Sequence, residues 1–138
     1  MITIITTIAP PTTSVLSLLD RLRQNNCRLI IIGDKKGPVD YDLPDTKFYS
    51  LQQRLDLPFS LAKLLPEGHY ARKNLGYLLA IAENAECIYE TDDDNAPDDY
   101  WRARHRDVKA SPIKNHGWTN VYRYFQKSSS GRGDCRLC

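Results

Sequence analysis

An α/β fold of three layers around a mostly parallel sheet follows from two features of this 138-residue chain. Strand-like and helix-like periodicities alternate along it, and one strand is apolar at nearly every position, the pattern of a strand covered on both faces. A third feature, acidic residues at the ends of two strands, puts the binding crevice at the carboxyl edge of that sheet.

The first strand is "ITIITTI" (2–8), rich in Ile and Thr, and Pro10-Pro11 ends it. Thr12-Thr13-Ser14 then supplies a helix cap, and Val15, Leu18, Leu19 and Leu22 recur at the spacing of one buried helical face. "CRLIIIGD" (27–34) is the doubly covered strand, so helices must flank it. "TKFYSL" (46–51) reads as a short strand and "SLAKLLP" (60–66) as a short helix stopped near Pro66. A longer helix covers 69–85, with Ala71, Leu75, Leu78, Leu79 and Ala82 on one face, and "ECIYETD" (86–92) is the next strand. Beyond Pro97 the pattern thins to an aromatic segment, "GWTNVYRYF" (117–125), and a Ser/Gly-rich end. The resulting division is one domain over 1–126 and a flexible tail over 127–138.

Composition excludes several classes. Nineteen Lys and Arg against 17 Asp and Glu leave a net charge of +2, which gives no reason to expect nucleic acid or a polyanion as partner. No apolar window is long enough for a membrane span and the start lacks the basic flank of a signal peptide, so the expectation is a cytoplasmic chain. Cys27 and Cys87 sit beside apolar runs and read as core residues, while Cys135 and Cys138 lie in the tail without a second pair for zinc. His69, His105 and His116 show no ligand spacing, and "IIGDKKG" is not a phosphate-binding P-loop.

The informative charge is local. "YETDDDNAP" (89–97) sets Asp92, Asp93 and Asp94 in a row directly after a strand, where like charges repel unless a cation relieves them. A solvated turn or a helix cap would also use such residues. The uninterrupted triplet followed by Asn95, at a carboxyl edge, favours a metal. Hard oxygen ligands suit Mn²⁺ or Mg²⁺. For Asp34, a simple Gly33-Asp34 turn stays open beside a ligand contact. For Arg72 and Lys73, a solvated helix face stays open beside phosphate binding at a helix start.

The stretch "YARKNLGYLLAIAENAECIYETDDDN" resembles nucleotide-sugar glycosyltransferases of the A-fold type, in which an Ala-Arg-Asn-x-Gly helix leads through a strand into an Asp-x-Asp motif. Together with "TTIAPPT" and "IIGDKKGP" it looks like the STELLO-type family, which is similar to the reversibly glycosylated polypeptides. The resemblance implies a Rossmann-like, glycosyltransferase A-type nucleotide-sugar-binding half. It implies Mn²⁺ or Mg²⁺ held by Asp92 and Asp94, with Asp93 facing ribose or sugar. It also implies base and ribose contacts from Thr6, Thr7 and Asp34. Arg72 and Lys73 begin the helix that precedes the metal strand, where a phosphate can lie, so Arg72 is the expected diphosphate or nucleotide contact, and Lys35 and Lys36 in the loop after Asp34 would neutralise the same group. The donor would be a nucleotide sugar, UDP-linked first of all, and the acceptor is not specified. Only about forty residues follow the motif, short for an acceptor half. A non-catalytic nucleotide-sugar-binding or scaffolding module is therefore the alternative. A metal-dependent phosphohydrolase ranks third, because its Asp-x-Asp motif ends the first strand rather than a late one.

Overall fold

A computed structural model describes residues 1–103 and Lys109. Its elements all belong to one compact unit, Met1–Arg106. The segment 117–125, the boundary at 126, the tail over 127–138, His105, His116, Cys135 and Cys138 lie outside the described residues.

The sheet has four strands, β1 (Ile2–Thr6), β2 (Arg28–Ile32), β3 (Thr46–Tyr49) and β4 (Ile88–Glu90), in the order β3-β2-β1-β4. Every neighbouring pair is parallel, with Ile4 opposite Ile30 on one side and Glu90 on the other. α1 (Thr13–Gln24) connects β1 to β2. The connection from β3 to β4 carries α2 (Leu51–Leu55), α3 (Ser60–Leu64), a 3₁₀ turn at Tyr70–Arg72 and α4 (Lys73–Ala82).

Alternation along the two central strands separates two cores. Ile5, Leu29 and Ile31 pack with Val15, Leu18, Leu19 and Leu22 of α1, whereas Ile2, Ile4, Ile30 and Ile32 pack with Leu79 and Ala80 of α4. Both faces of β1 and β2 are thus dry, and the three-layer α/β arrangement expected from the apolar run is the one observed. Thr12 caps α1 as its spacing predicts, its hydroxyl accepting from the Val15 N–H at 3.2 Å.

Several details depart from expectation. α2 is an extra helix, started by a capping box between Ser50 and Gln53 in a stretch too short to show a helical period. α4 begins at Lys73 because the segment from His69 winds first as a tighter turn, with the His69 ring nitrogen accepting from the Ala71 N–H at 3.0 Å. Its buried face runs through Leu75, Gly76, Leu79 and Ala80, and Ala82 is exposed. The face is rotated because Gly76 lies directly on β1, where a Cβ would stand 2.4 Å from Ile4 Cγ2. Cys27 is in the core, but Cys87 is exposed, since it precedes the short edge strand β4 rather than lying in it.

Candidate functional site

Loops leave the carboxyl ends of β1, β2 and β4 at the same edge of the sheet. The strand order reverses direction between β1 and β4, the position at which open α/β sheets bind ligands.

Residues at the end of β1 and the start of α1 hold the aspartate triplet in place. Thr7 Oγ1 donates to the Asp93 carboxylate, Thr12 Oγ1 donates to the Asp93 carbonyl at 2.8 Å, and Ser14 Oγ donates to the Asp94 carbonyl at 3.2 Å. The Asn95 N–H donates back to the Asp92 carbonyl at 3.3 Å, closing the turn. Thr12 therefore serves two structures at once, as helix cap and as anchor of the acidic loop.

The opposite wall is the start of α4. Arg72 Nη1 stands 3.2 Å from Asp34 Oδ2, and the same oxygen accepts from the Gly68 N–H at 2.8 Å. Gly68 has φ +64, a conformation that favours glycine, so the loop can turn its amide onto Asp34 without strain. Asp34 Oδ1 accepts from the Lys35 N–H at 2.8 Å. Lys73 Nζ donates to Glu90 Oε1 at 3.0 Å, to the Thr91 carbonyl at 3.2 Å and to Asp92 Oδ1 at 2.8 Å. The Tyr70 hydroxyl donates to that same Asp92 oxygen at 2.8 Å, and its ring lies 5.0 Å from the ammonium. Two successive cations, Arg72 and Lys73, thus tie the end of β2 to the end of β4. Their side chains are 8% and 6% exposed, which excludes the solvated helix face.

The electrostatics agree with this pairing. Burial pulls the Lys73 pKa down most strongly of the separate effects, yet the hydrogen bonds and charges of Asp92 and Glu90 together outweigh it and raise it. Asp92 is lowered, chiefly by the Lys73 hydrogen bond and then by Tyr70. Glu90 is lowered by its hydrogen bonds from Tyr77 and Lys73, while burial first and Glu90 second push the Tyr77 hydroxyl up to about 12.

No protein-family model matches the chain. Two curated proteins of Arabidopsis thaliana are similar to it: Probable glycosyltransferase STELLO1, 31% identical over 103 residues and 70% of this chain, and Probable glycosyltransferase STELLO2, 32% identical over 82 residues and 59% of it. This is a STELLO-like chain. It spans 13% of the length of the first of these relatives and 11% of the second.

In the STELLO-like core, the geometry gathers Thr7, Asp34, Arg72, Lys73, Asp92 and Asp93 at one edge, linked by the contacts above. Thr6 is buried at the end of β1 beside them. Lys36 is exposed, and among the described residues it makes no ion pair or side-chain hydrogen bond. Asp94 is exposed as well, its carboxylate without a hydrogen-bond partner among the described residues. Residues that sequence reasoning missed are Tyr70, Tyr77, Glu90, Thr12 as loop anchor, and Ser14. Glu90 carried a signal, because it lies two positions before Asp92 and extended backbone sends both to one side. Tyr70 carried another, standing three residues before Lys73 on a helical turn.

At the other end of the sheet, a groove of about 230 Å³ is lined by Arg28, Asp45, Thr46, Lys47 and Glu83. Arg28 and Lys47 share Glu83, at 2.9 Å in the case of Lys47, and Asp45 pairs with Arg23 at 3.0 Å, so among the described residues the groove presents no unpaired charge to a ligand. Among the described residues, no helix is long and apolar enough to cross a membrane.

Proposed function

We propose that this chain binds a nucleotide sugar through a divalent cation and serves sugar transfer to an acceptor, with the crevice between β1 and β4 as its donor site. The observation that carries this reading is the convergence of Asp34, Arg72 and Lys73 with the Asp92–Asp94 triplet at the carboxyl edge. UDP is the first donor nucleotide to test.

The donor set fits a small hard cation. Among the described residues no three His, Cys, Asp or Glu side chains form a ready-made cage. Mg²⁺-type sites do not need one, because one or two carboxylates complete their shell with phosphate oxygens and water. Asp92 and Asp94 would hold the ion, Mn²⁺ or Mg²⁺, which would neutralise the charge that grows on the nucleoside diphosphate as the sugar leaves. Asp93, fixed by Thr7 and Thr12, keeps the loop at its position. Asp34, engaged by Arg72, the Gly68 N–H and the Lys35 N–H, keeps one lone pair on Oδ1 that would accept from a ribose hydroxyl. Arg72 offers a buried Nε–H that has no partner among the described residues, a donor suited to a phosphate or carbonyl oxygen.

The test is calorimetric titration with UDP and a panel of other nucleoside diphosphates and nucleotide sugars, with and without Mn²⁺. Mn²⁺-dependent binding that disappears in the double variant Asp92→Asn, Asp94→Asn is the expected result. Binding that survives in the double variant would refute the assignment of the metal to the triplet. Binding without transfer to any of a set of acceptors would favour a non-catalytic module, and phosphate release without transfer a hydrolase.

A further inference from the structure

Lys73 is unusual among the residues of this edge. Its side chain is 6% exposed, its ammonium already has three oxygen partners, and one of them is a carboxylate assigned above to the metal. An ammonium has three donors and all three are engaged. On the metal side, Asp92 Oδ1 carries both Lys73 and the Tyr70 hydroxyl at 2.8 Å. A cation approaching Asp92 meets an oxygen with two donors on it and a positive charge behind it.

We infer that Lys73 is a resident counter-ion that competes with the divalent cation for Asp92, with Tyr70 reinforcing the block. The inference rests on the donor-site reading and assigns Lys73 a role other than direct phosphate binding. In the ligand-free protein the ammonium relieves the repulsion among Glu90 and the three aspartates, so the acidic edge persists without metal. The same contact opposes Mn²⁺ when it arrives alone, because the ion must either share Asp92 with a fixed ammonium or push a buried lysine off one of its partners. A diphosphate arriving with the metal changes the balance: its anionic oxygens complete the ion's shell, so the ion draws less on the Asp92 oxygen that Lys73 and Tyr70 occupy. Metal and diphosphate then bind cooperatively, each improving the affinity of the other by the same factor.

Mn²⁺ alone is the probe. Its dissociation constant is measured by electron paramagnetic resonance on the full 138-residue chain, in wild type, Lys73→Met and Tyr70→Phe, without nucleotide. Removing a charge this close to the ion should tighten Mn²⁺ binding by about tenfold in Lys73→Met. Loss of one hydrogen bond to Asp92 should tighten it by about threefold in Tyr70→Phe. Melting in metal-free buffer gives a second readout: Lys73→Met should melt lower than wild type, since the carboxylates lose their counter-ion. Tyr70 is 60% exposed, so Tyr70→Phe preserves the core and decides alone if Lys73→Met does not fold. Unchanged or weaker Mn²⁺ binding in these variants overturns the inference. If Asp92→Asn, Asp94→Asn still abolishes binding in that case, the donor-site reading stands without it. No saturable Mn²⁺ binding to wild type or to either variant overturns both.

Discussion

Among the described residues, Arg54 is the one whose energetics are least balanced. It is fully buried on α2, and Nε, Nη1 and Nη2 all lack hydrogen-bond partners among the described residues. A guanidinium stays charged at every accessible pH, so it cannot escape the cost of burial by losing a proton, as a lysine could. Replacing a buried ion pair by apolar side chains of similar volume is often neutral or stabilising by about 1–4 kcal/mol, and a buried charge without a partner has no pairing energy to lose, which favours the stabilising side. Arg54→Met is therefore expected to raise the urea midpoint without changing the slope of the unfolding curve. A lower midpoint would mean that the packing of the arginine stem and head contributes more than the desolvation of its charge costs. Asp92 presents the opposite case. Read from sequence, neutralising it relieves repulsion within the triplet. In the folded chain it removes the partner of Lys73 at 2.8 Å, so Asp92→Asn should lower stability in metal-free buffer.

Among the elements, α4 matters most to the site, since its first residues carry the two cations and its middle sets their height above the sheet. Gly76 permits that approach. Alanine there would gain about 1 kcal/mol of helix propensity, yet its Cβ would meet Ile4 Cγ2 at 2.4 Å, and overpacking of this kind costs about 1–3 kcal/mol. Gly76→Ala should therefore destabilise, and adding Ile4→Ala should make the two changes less than additive, because the second removes the atoms that the first strikes. Additive losses in a double-mutant cycle would show that the close approach is not what constrains Gly76. The same helix shows how far the sequence could be read. Its existence, the strand after it and the acidic loop were legible, because long apolar periods and a run of like charges are local signals. The rotation of its buried face was not, since a glycine counts as neutral in a hydrophobic pattern and only the partner strand reveals its close contact. The pairing of Arg72 with Asp34 and of Lys73 with Asp92 depends on β2 and β4 flanking β1, a fact of topology that no spacing within one segment encodes. α2 was missed because its first residue, Leu51, falls within the strand expected over 46–51, and only Leu51 and Leu55 of its five residues are apolar.

Across the whole sheet, acidic groups are paired with cations at both ends of the strands. At the amino end Glu83, which follows α4, joins Lys47 of β3 at 2.9 Å and Arg28 of β2. At the carboxyl end Glu90 and Asp92 share Lys73. All three carboxylates have lowered pKa values: Glu83 chiefly through the Lys47 hydrogen bond, Glu90 through Tyr77 and then Lys73, and Asp92 through Lys73. A carboxylate with a depressed folded-state value contributes stability that is present above its unfolded value, about 4.3 for Glu and 3.9 for Asp, and lost as pH falls through the folded one. Both ends of the sheet should thus weaken together on acidification, and the metal-free chain should lose a modest part of its stability below about pH 4.5, since the three carboxylates are partly exposed and their pairs are screened by solvent. Glu83→Gln separates the ends, because it removes one titrating pair far from the donor crevice and leaves Lys73 with its partners. Its partners Arg28 and Lys47 are half exposed, so the loss near pH 6 should be under about 1 kcal/mol. The decisive measurement is the urea midpoint of wild type and Glu83→Gln from pH 6 to pH 3, flanking the titration range. The difference should shrink as pH falls, since the wild-type glutamate takes up the proton that cancels its charge while glutamine has none to gain. A gap that stays constant over the whole range would mean that Glu83 supports the amino end through shape and neutral hydrogen bonding, with its charge contributing nothing.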